Sequence, residues 1–264
     1  MNATRAFIIH LERAASRRPT AERLRADLEI ASEIVPAVDG ASLTETEVDA
    51  AYRRARFSPR YPFALGRAEI GAFLSHRAAW RRIVDEELDF GIVFEDDAAI
   101  DPRQFSALLA FLGGRRGEWD YVLTPAAGIE PRGAPILTGG GFSLLRPYAP
   151  PLRAIGQFVS RTAAERLLAV TEPFDRPVDT FLQMSWITGV PILTASPTPL
   201  RDVSLRTGGT TVQRRRMSPF DRLRHETLRP LYRARVLSLY RRETARSDWR
   251  PVVAPVPGEG RADG

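Results

Sequence analysis

Apolar and polar positions in this chain switch repeatedly between two periods. Short apolar runs at 6–9, 34–38, 91–95, 120–124, 156–159 and 191–195 have the length and β-branched or aromatic content of buried strands. Between them lie stretches with helical spacing and recognisable starts. Ser16 with Pro19 just inside opens one to about residue 30, and Thr44-Glu45-Thr46-Glu47 forms a capping box for one to about residue 54. Asp101-Pro102 caps another, and Thr162-Ala163-Ala164-Glu165 starts one that ends at Val170. The longest, at 67–86, places Ile70, Phe73, Leu74, Trp80 and Val84 on one face. Glu69 and His76, seven positions apart, fall within ~20° of each other at that face's edge. Alternating strands and helices predict an α/β fold around a mainly parallel sheet.

Two regions break the pattern. Residues 125–151 are rich in Gly and Pro and lack either period, so a long loop is expected there, with Gly139-Gly140-Gly141 as a turn. From Pro219 to Arg242, Phe220, Leu223, Leu228, Leu231, Tyr232, Val236, Leu237, Leu239 and Tyr240 are interleaved with arginines. That pattern predicts an amphipathic basic helix pair kinked near Pro230, which either packs on the body or binds an anionic surface. The expected domains are 1–212 as the α/β body, 213–250 as a basic helical extension and 251–264 as a disordered Pro/Gly-rich tail. No internal repeat is visible.

Charge sharpens this division. The chain has no lysine, so all 38 of its Lys+Arg residues are arginine. Residues 201–250 hold fourteen arginines against Asp202, Asp221, Glu226, Glu243 and Asp248, while the whole chain is only +6. The body is therefore slightly acidic and the extension strongly basic, which suggests a polyanionic partner for the extension alone. Absence of cysteine excludes disulfides and thiolate metal sites. The apolar run at 6–9 is too short for a signal-peptide core, and no stretch approaches the ~18–20 residues that span a bilayer. A cytoplasmic protein is expected, with a peripheral place on the inner membrane if the extension binds lipid.

The chemistry concentrates at Phe90-Gly91-Ile92-Val93-Phe94-Glu95-Asp96-Asp97, where a buried strand ends in three carboxylates. Buried together without partners they would repel one another and bear a desolvation cost. A divalent metal removes both problems, because hard cations take carboxylate oxygens. The alternative is an acidic surface turn. The carboxyl end of a sheet strand is also where open α/β folds bind nucleotides.

An ordered series of short motifs carries a resemblance. Phe7-Ile8-Ile9-His10-Leu11 is followed by Ser16-Arg17-Arg18, then Ala37-Val38-Asp39-Gly40, then Glu69-Ile70-Gly71 with Leu74-Ser75-His76 and Trp80, then Glu95-Asp96-Asp97. Phe158-Val159-Ser160-Arg161 and Pro177-Val178-Asp179 follow further on. Over roughly residues 5–200 this series resembles glycosyltransferase family 25, bacterial lipopolysaccharide and lipooligosaccharide sugar transferases related to collagen galactosyltransferases. His10, Ala72 and Phe158 stand where that family more often has Asn, Cys and Tyr.

The resemblance implies a GT-A-like fold and transfer of a sugar, plausibly galactose, from a UDP-sugar to a cell-envelope glycolipid with inversion. It implies Mn2+ or Mg2+ held by Glu95, Asp96 and Asp97, and a donor pocket built by Gly40, Glu69, Ser75 and His76. Arg17 or Arg18, after the first strand, could add a guanidinium to the phosphates, with Arg18 carried as the candidate; the alternative is a solvated charge at a helix start. Inversion needs a base for the attacking hydroxyl, and Asp179 is the candidate; its alternative is an N-cap for a helix at 180–186. The rival function is a non-catalytic nucleic-acid- or polyanion-binding protein acting through the arginine-rich extension.

Overall fold

The computed structural model describes residues 4–126, 128–149, 151–152, 155–204 and 219–246. The chain order is β1 (Thr4–His10), a 3-10 turn (Ala15–Arg17), α1 (Arg18–Asp27), β2 (Ser32–Pro36), α2 (Glu45–Ala51), α3 (Arg67–Asp85), β3 (Phe90–Glu95), β4 (Ala98–Ile100), α4 (Pro102–Gly113) and β5 (Tyr121–Leu123). There follow β6 (Gly133–Gly139), β7 (Phe142–Pro147), β8 (Gly156–Ser160), α5 (Arg161–Val170), α6 (Val178–Leu182), α7 (Ser185–Thr188), β9 (Ile192–Ser196), β10 (Leu200–Asp202) and α8 (Pro219–Arg246).

Eight strands form one sheet in the order β2-β1-β3-β8-β5-β9-β7-β6. β2, β1 and β3 pair in parallel, as do β5 and β9; β8 and β7 run against their neighbours. Six of the eight strands thus point one way, so the expected α/β architecture with a mainly parallel sheet is the observed one. Both faces are covered, which is why the central strands are mostly apolar along their length. In β1, Ala6 and Ile8 join the core under α1 and α4, while Phe7 and Ile9 join the core under α3 and α5.

Several segments differ from the sequence expectation. The stretch 125–151 carries the hairpin β6–β7, with a register irregularity between Pro135 and Leu137 that hides its two-residue period. Gly140 at φ 59° and Gly141 at φ 81° make its turn, a conformation that favours glycine at both positions. The helix expected at 180–186 is split into α6 and α7. β4 and β10 form a separate two-stranded sheet that no run of apolar residues announced. The helix pair expected in the basic extension is a single helix, α8, which continues through Pro230. Tyr232, Val236 and Tyr240, spaced four apart, are buried, so the helix packs on the body. Tyr240 Oη donates to the carbonyl of Pro147 at 2.9 Å. The segments 213–218 and 251–264 lie outside the described residues.

Candidate active site

β1 and β3 end side by side, at His10 and Glu95, and α3 crosses in front of them. Two glycines set how closely it crosses. A Cβ on Gly40 would lie 1.8 Å from the Arg67 carbonyl oxygen, and one on Gly71 would lie 2.6 Å from the Val38 carbonyl oxygen. Backbone therefore meets backbone where the 38–40 segment touches α3, and no larger side chain fits either position. Ser75 fastens the contact: its hydroxyl accepts from the Val38 N–H at 2.8 Å and donates to the Gly71 carbonyl at 2.7 Å.

The crossing leaves two adjoining cavities. The smaller, of about 220 Å³, is lined from β1, the segment 37–40, α3 and the end of β3, and includes Arg17, Asp39, Gly40, Ser75, His76 and Asp96. The larger, of about 420 Å³, includes Tyr61, Glu69, Asp179, Asp202, Arg229 and Tyr232. Ala72, Glu95 and Asp97 line both and form the wall between them.

The three acids at the end of β3 separate into two roles. Asp96 is turned inward and spent: Oδ2 accepts from His10 Nδ1 at 2.8 Å and Oδ1 from the Arg17 guanidinium at 2.8 Å, with all three residues buried. Glu95 and Asp97 face the cavities. Asp97 Oδ1 is buried with no hydrogen-bond partner among the described residues, and burial, reinforced by Glu95 and opposed by Arg17, pushes the Asp97 carboxyl up to about 7. Asp202, on β10, adds to that push. An unpartnered buried oxygen facing further carboxylates is what a bound cation would satisfy, so the donor set fits a hard divalent ion. As they stand, no three His, Asp or Glu side chains among the described residues are gathered tightly enough to hold one alone.

The other expected residues are placed as follows. Gly40, Ser75 and His76 line the smaller cavity, the first two through their packing roles. Glu69 lies in the larger one instead, where it accepts from the Gly66 N–H at 2.7 Å and caps α3. Burial raises its carboxyl, and Asp179 adds to the rise. Asp179 sits in the first turn of α6 and accepts from the Thr180 N–H at 2.6 Å. The residue preceding α6 is Pro177, so Asp179 is inside the helix and not its N-cap. Arg18 lines neither cavity; it is half-exposed and pairs with Glu22 four residues on, at 2.9 Å. Arg17 is the guanidinium that turns in, because the 3-10 turn places it under the end of β1.

Two features lay beyond the sequence reading. Asp202 joins the site only because β10 pairs with β4, next to Asp97. The adjacent pair Asp175 and Arg176 is fully buried and bidentate, and Arg176 also donates to Tyr232 Oη at 2.6 Å and to the Phe57 and Pro59 carbonyls. This cluster ties α8 to the larger cavity, so the basic extension supplies part of its wall. The adjacent Asp-Arg dipeptide was the only trace of it in the sequence.

Residues 3–123 match the model of Glycosyltransferase family 25 (LPS biosynthesis protein). Just under half of the chain is thus similar to that family. The chain is 30% identical over 194 residues to a glycosyltransferase 25 family member of Drosophila melanogaster, covering 70% of this chain and 31% of that one. It is 28% identical over 189 residues to procollagen galactosyltransferase 2 of Mus musculus, covering 68% of this chain and 30% of that one. A third similar protein, 28% identical over 192 residues with 67% of this chain and 31% of that one covered, is the inactive glycosyltransferase 25 family member 3 of Mus musculus. The chain thus spans about a third of the length of these relatives, and both active and inactive names occur among them. Among solved structures, a glycosyltransferase involved in the glycosylation of the major capsid of PBCV-1 is similar at TM-score 0.32 and 10% identity, over 64% of this chain and 65% of that one, too distant a likeness to carry weight.

Proposed function

We propose that this chain is a nucleotide-sugar-dependent glycosyltransferase that binds a UDP-sugar in the smaller cavity and its acceptor in the larger. The observation that carries the reading is the shared wall: Glu95 and Asp97 face both cavities, while Asp179 faces the larger one alone. A donor phosphate near that wall brings the anomeric carbon to the boundary, and an acceptor hydroxyl arrives from the Asp179 side. Asp179 takes the hydroxyl proton as the oxygen bonds to the anomeric carbon, and the bond to the diphosphate breaks on the opposite face, which inverts the centre. Arg17 lies at the diphosphate side and, through Asp96, is held there by His10.

Mn2+ or Mg2+ fits Glu95 and Asp97, because such ions are commonly held by one or two carboxylates completed by substrate phosphates. When bound, the ion supplies charge stabilisation to the leaving diphosphate. Galactose is the sugar we favour, given the procollagen galactosyltransferase relatives. A cell-envelope glycolipid is the acceptor we favour, because the arginines of α8 at 233, 235, 241, 242 and 246 are exposed. No helix among the described residues is long and apolar enough to cross a membrane, so such an acceptor would be met at a surface. Anionic vesicles should then retain the protein at low salt and release it near 1 M, where the screening length is ~3 Å.

The direct experiment is a hydrolysis screen of UDP-, GDP- and CMP-sugars with and without Mn2+. Selective, Mn2+-stimulated release of UDP supports the reading. Failure to turn over or bind any nucleotide sugar overturns it.

A further inference from the structure

Behind the smaller cavity lies a line of three buried polar side chains that the proposed mechanism leaves unused. Tyr121 on β5 and Gln157 on β8 are both 0% exposed, and His76 on α3 is 3% exposed. Register places Leu123 opposite Gln157, so Tyr121 and Gln157 are diagonal neighbours on the face that α3 covers. The Tyr121 hydroxyl donates to Gln157 Oε1, and Gln157 Nε2 lies 3.3 Å from His76 Nδ1. His76 Nε2 points the other way, to Glu95 Oε1 at 3.7 Å, on the wall of the cavity.

The direction of each bond follows from the first. Burial raises the Tyr121 phenol well above its usual range, so it keeps its proton. Among the described residues Gln157 is its one partner, and a buried hydroxyl left without an acceptor bears its full desolvation cost. The amide must therefore turn its oxygen to Tyr121 and its NH2 to His76. A ring nitrogen that accepts a hydrogen bond carries no proton, so in the neutral imidazole the proton is on Nε2. At 3.7 Å from Glu95 that N–H is beyond direct hydrogen-bond length and open to a ligand oxygen.

We propose that Tyr121 and Gln157 are positioning residues that hold His76 in its Nε2–H tautomer, so that it donates this proton to an oxygen of a nucleoside diphosphate bound in the smaller cavity. The tautomer is a property of the free protein. Its use rests on the donor reading given above.

Long-range 15N–1H spectra of the full chain test the first half. The chain has only three histidines, His10, His76 and His225, so assignment by substitution is direct. The neutral His76 ring should show the Nε2–H pattern, and Tyr121→Phe, which removes the hydroxyl donor to Gln157 Oε1, should give a mixture of tautomers. An Nδ1–H pattern in the wild type, or an unchanged pattern in Tyr121→Phe, overturns the relay. Titration calorimetry with UDP tests the second half. His76→Leu should weaken UDP by about tenfold or more, the scale of one hydrogen bond to a charged group, while His76→Gln, whose amide reaches the Nε2 position, should stay within a few-fold. Equal UDP affinity in wild type and His76→Leu overturns the ligand role with the donor reading intact. A wild type that binds no UDP overturns the donor reading and the ligand role together, and the tautomer then stands or falls on the spectra.

Discussion

The two cavities share a wall but are built in different ways. Every residue that lines the smaller one lies between Ile9 and Asp97, inside the stretch that matches the family model. Most of the larger one comes from beyond that stretch: Leu152 and Ile155, the turn from Pro177 to Gln183, Asp202 and Ser204 after β9, and Arg229, Tyr232 and Arg233 on α8. A compact set of elements makes the first, and chain segments from Tyr61 to Arg233 make the second. The match to the family model therefore covers the residues of the smaller cavity and stops short of most of those of the larger one. The predictions test whether that division of labour is real.

The largest effect is expected at the shared wall. Asp97→Asn should lower turnover by at least ~10²-fold, the scale of removing one transition-state charge stabiliser, and a chelator should do the same to the wild type. Full activity in EDTA would end the case for a metal. Stability gives an independent readout. The folded Asp97 carboxyl is raised to about 7 from its ordinary 3.8, so the proton is bound more tightly in the native state. Its contribution to stability is fully present below pH 3.8 and is lost as pH rises through about 7. Melting curves of wild type and Asp97→Asn should coincide near pH 4 and separate by pH 8, the variant being the more stable by about a few kcal/mol at most. Mn2+ should close that gap by stabilising the wild type alone. An offset independent of pH would show that the unpartnered Oδ1 is not the source of the strain.

Asp179→Asn separates the cavities. Asparagine keeps the size and can still accept from the Thr180 N–H, so the fold should survive. Transfer should fall by about 10²-fold or more, in the range of a lost general base, with UDP-sugar affinity within about twofold. If donor affinity falls and turnover at saturation does not, Asp179 belongs to the nucleotide side. Asp202 and Glu69, which line the same cavity, would then be the carboxylates to test as base.

The same contrast explains what the sequence could and could not reveal. Strands buried on both faces, such as 6–9 and 91–95, announce themselves by unbroken apolar runs. The capping box at Thr44 is equally local, and the structure has both of its hydrogen bonds. The acids of β3 were visible because carboxylates rarely end an apolar run by chance. Their division into an anchored Asp96 and a cavity-facing pair was not, because it depends on His10 and Arg17 some eighty positions away. The hairpin β6–β7 was hidden by an irregular register at Pro135, and Asp202 by the shortness of β10. The choice between Arg17 and Arg18 turned on whether the helix begins one residue earlier or later, a distinction below the resolution of periodicity.

That choice gives a smaller, sharper test. Arg17→Gln should weaken UDP binding by about tenfold, because its guanidinium lines the smaller cavity 3.6 Å from Asp97 as well as holding Asp96. Arg18→Gln removes only an exposed pair with Glu22, so affinity and stability should both stay within about 0.5 kcal/mol of wild type. Equal losses from the two substitutions would mean that the charge acts through the general field at the start of α1 and not through a contact.

The smallest effect on turnover or binding among the contacts of the site belongs to the joint between α8 and the body. Tyr232→Phe removes one oxygen, the acceptor of the Arg176 hydrogen bond, and keeps the ring that packs edge-on to Tyr61. Arg176 retains Asp175 and the Phe57 and Pro59 carbonyls, so its charge is not stranded. The loss should be about 1.5–3 kcal/mol of stability at most, the range for a hydrogen bond to a charged group. Its functional trace should appear on one side only. Loosening the helix that carries Arg229 and Arg233 should raise the acceptor KM a few-fold, with kcat and UDP affinity unchanged. If UDP affinity moves as much as acceptor KM, the two cavities are mechanically one, and α8 serves the whole site instead of the acceptor half.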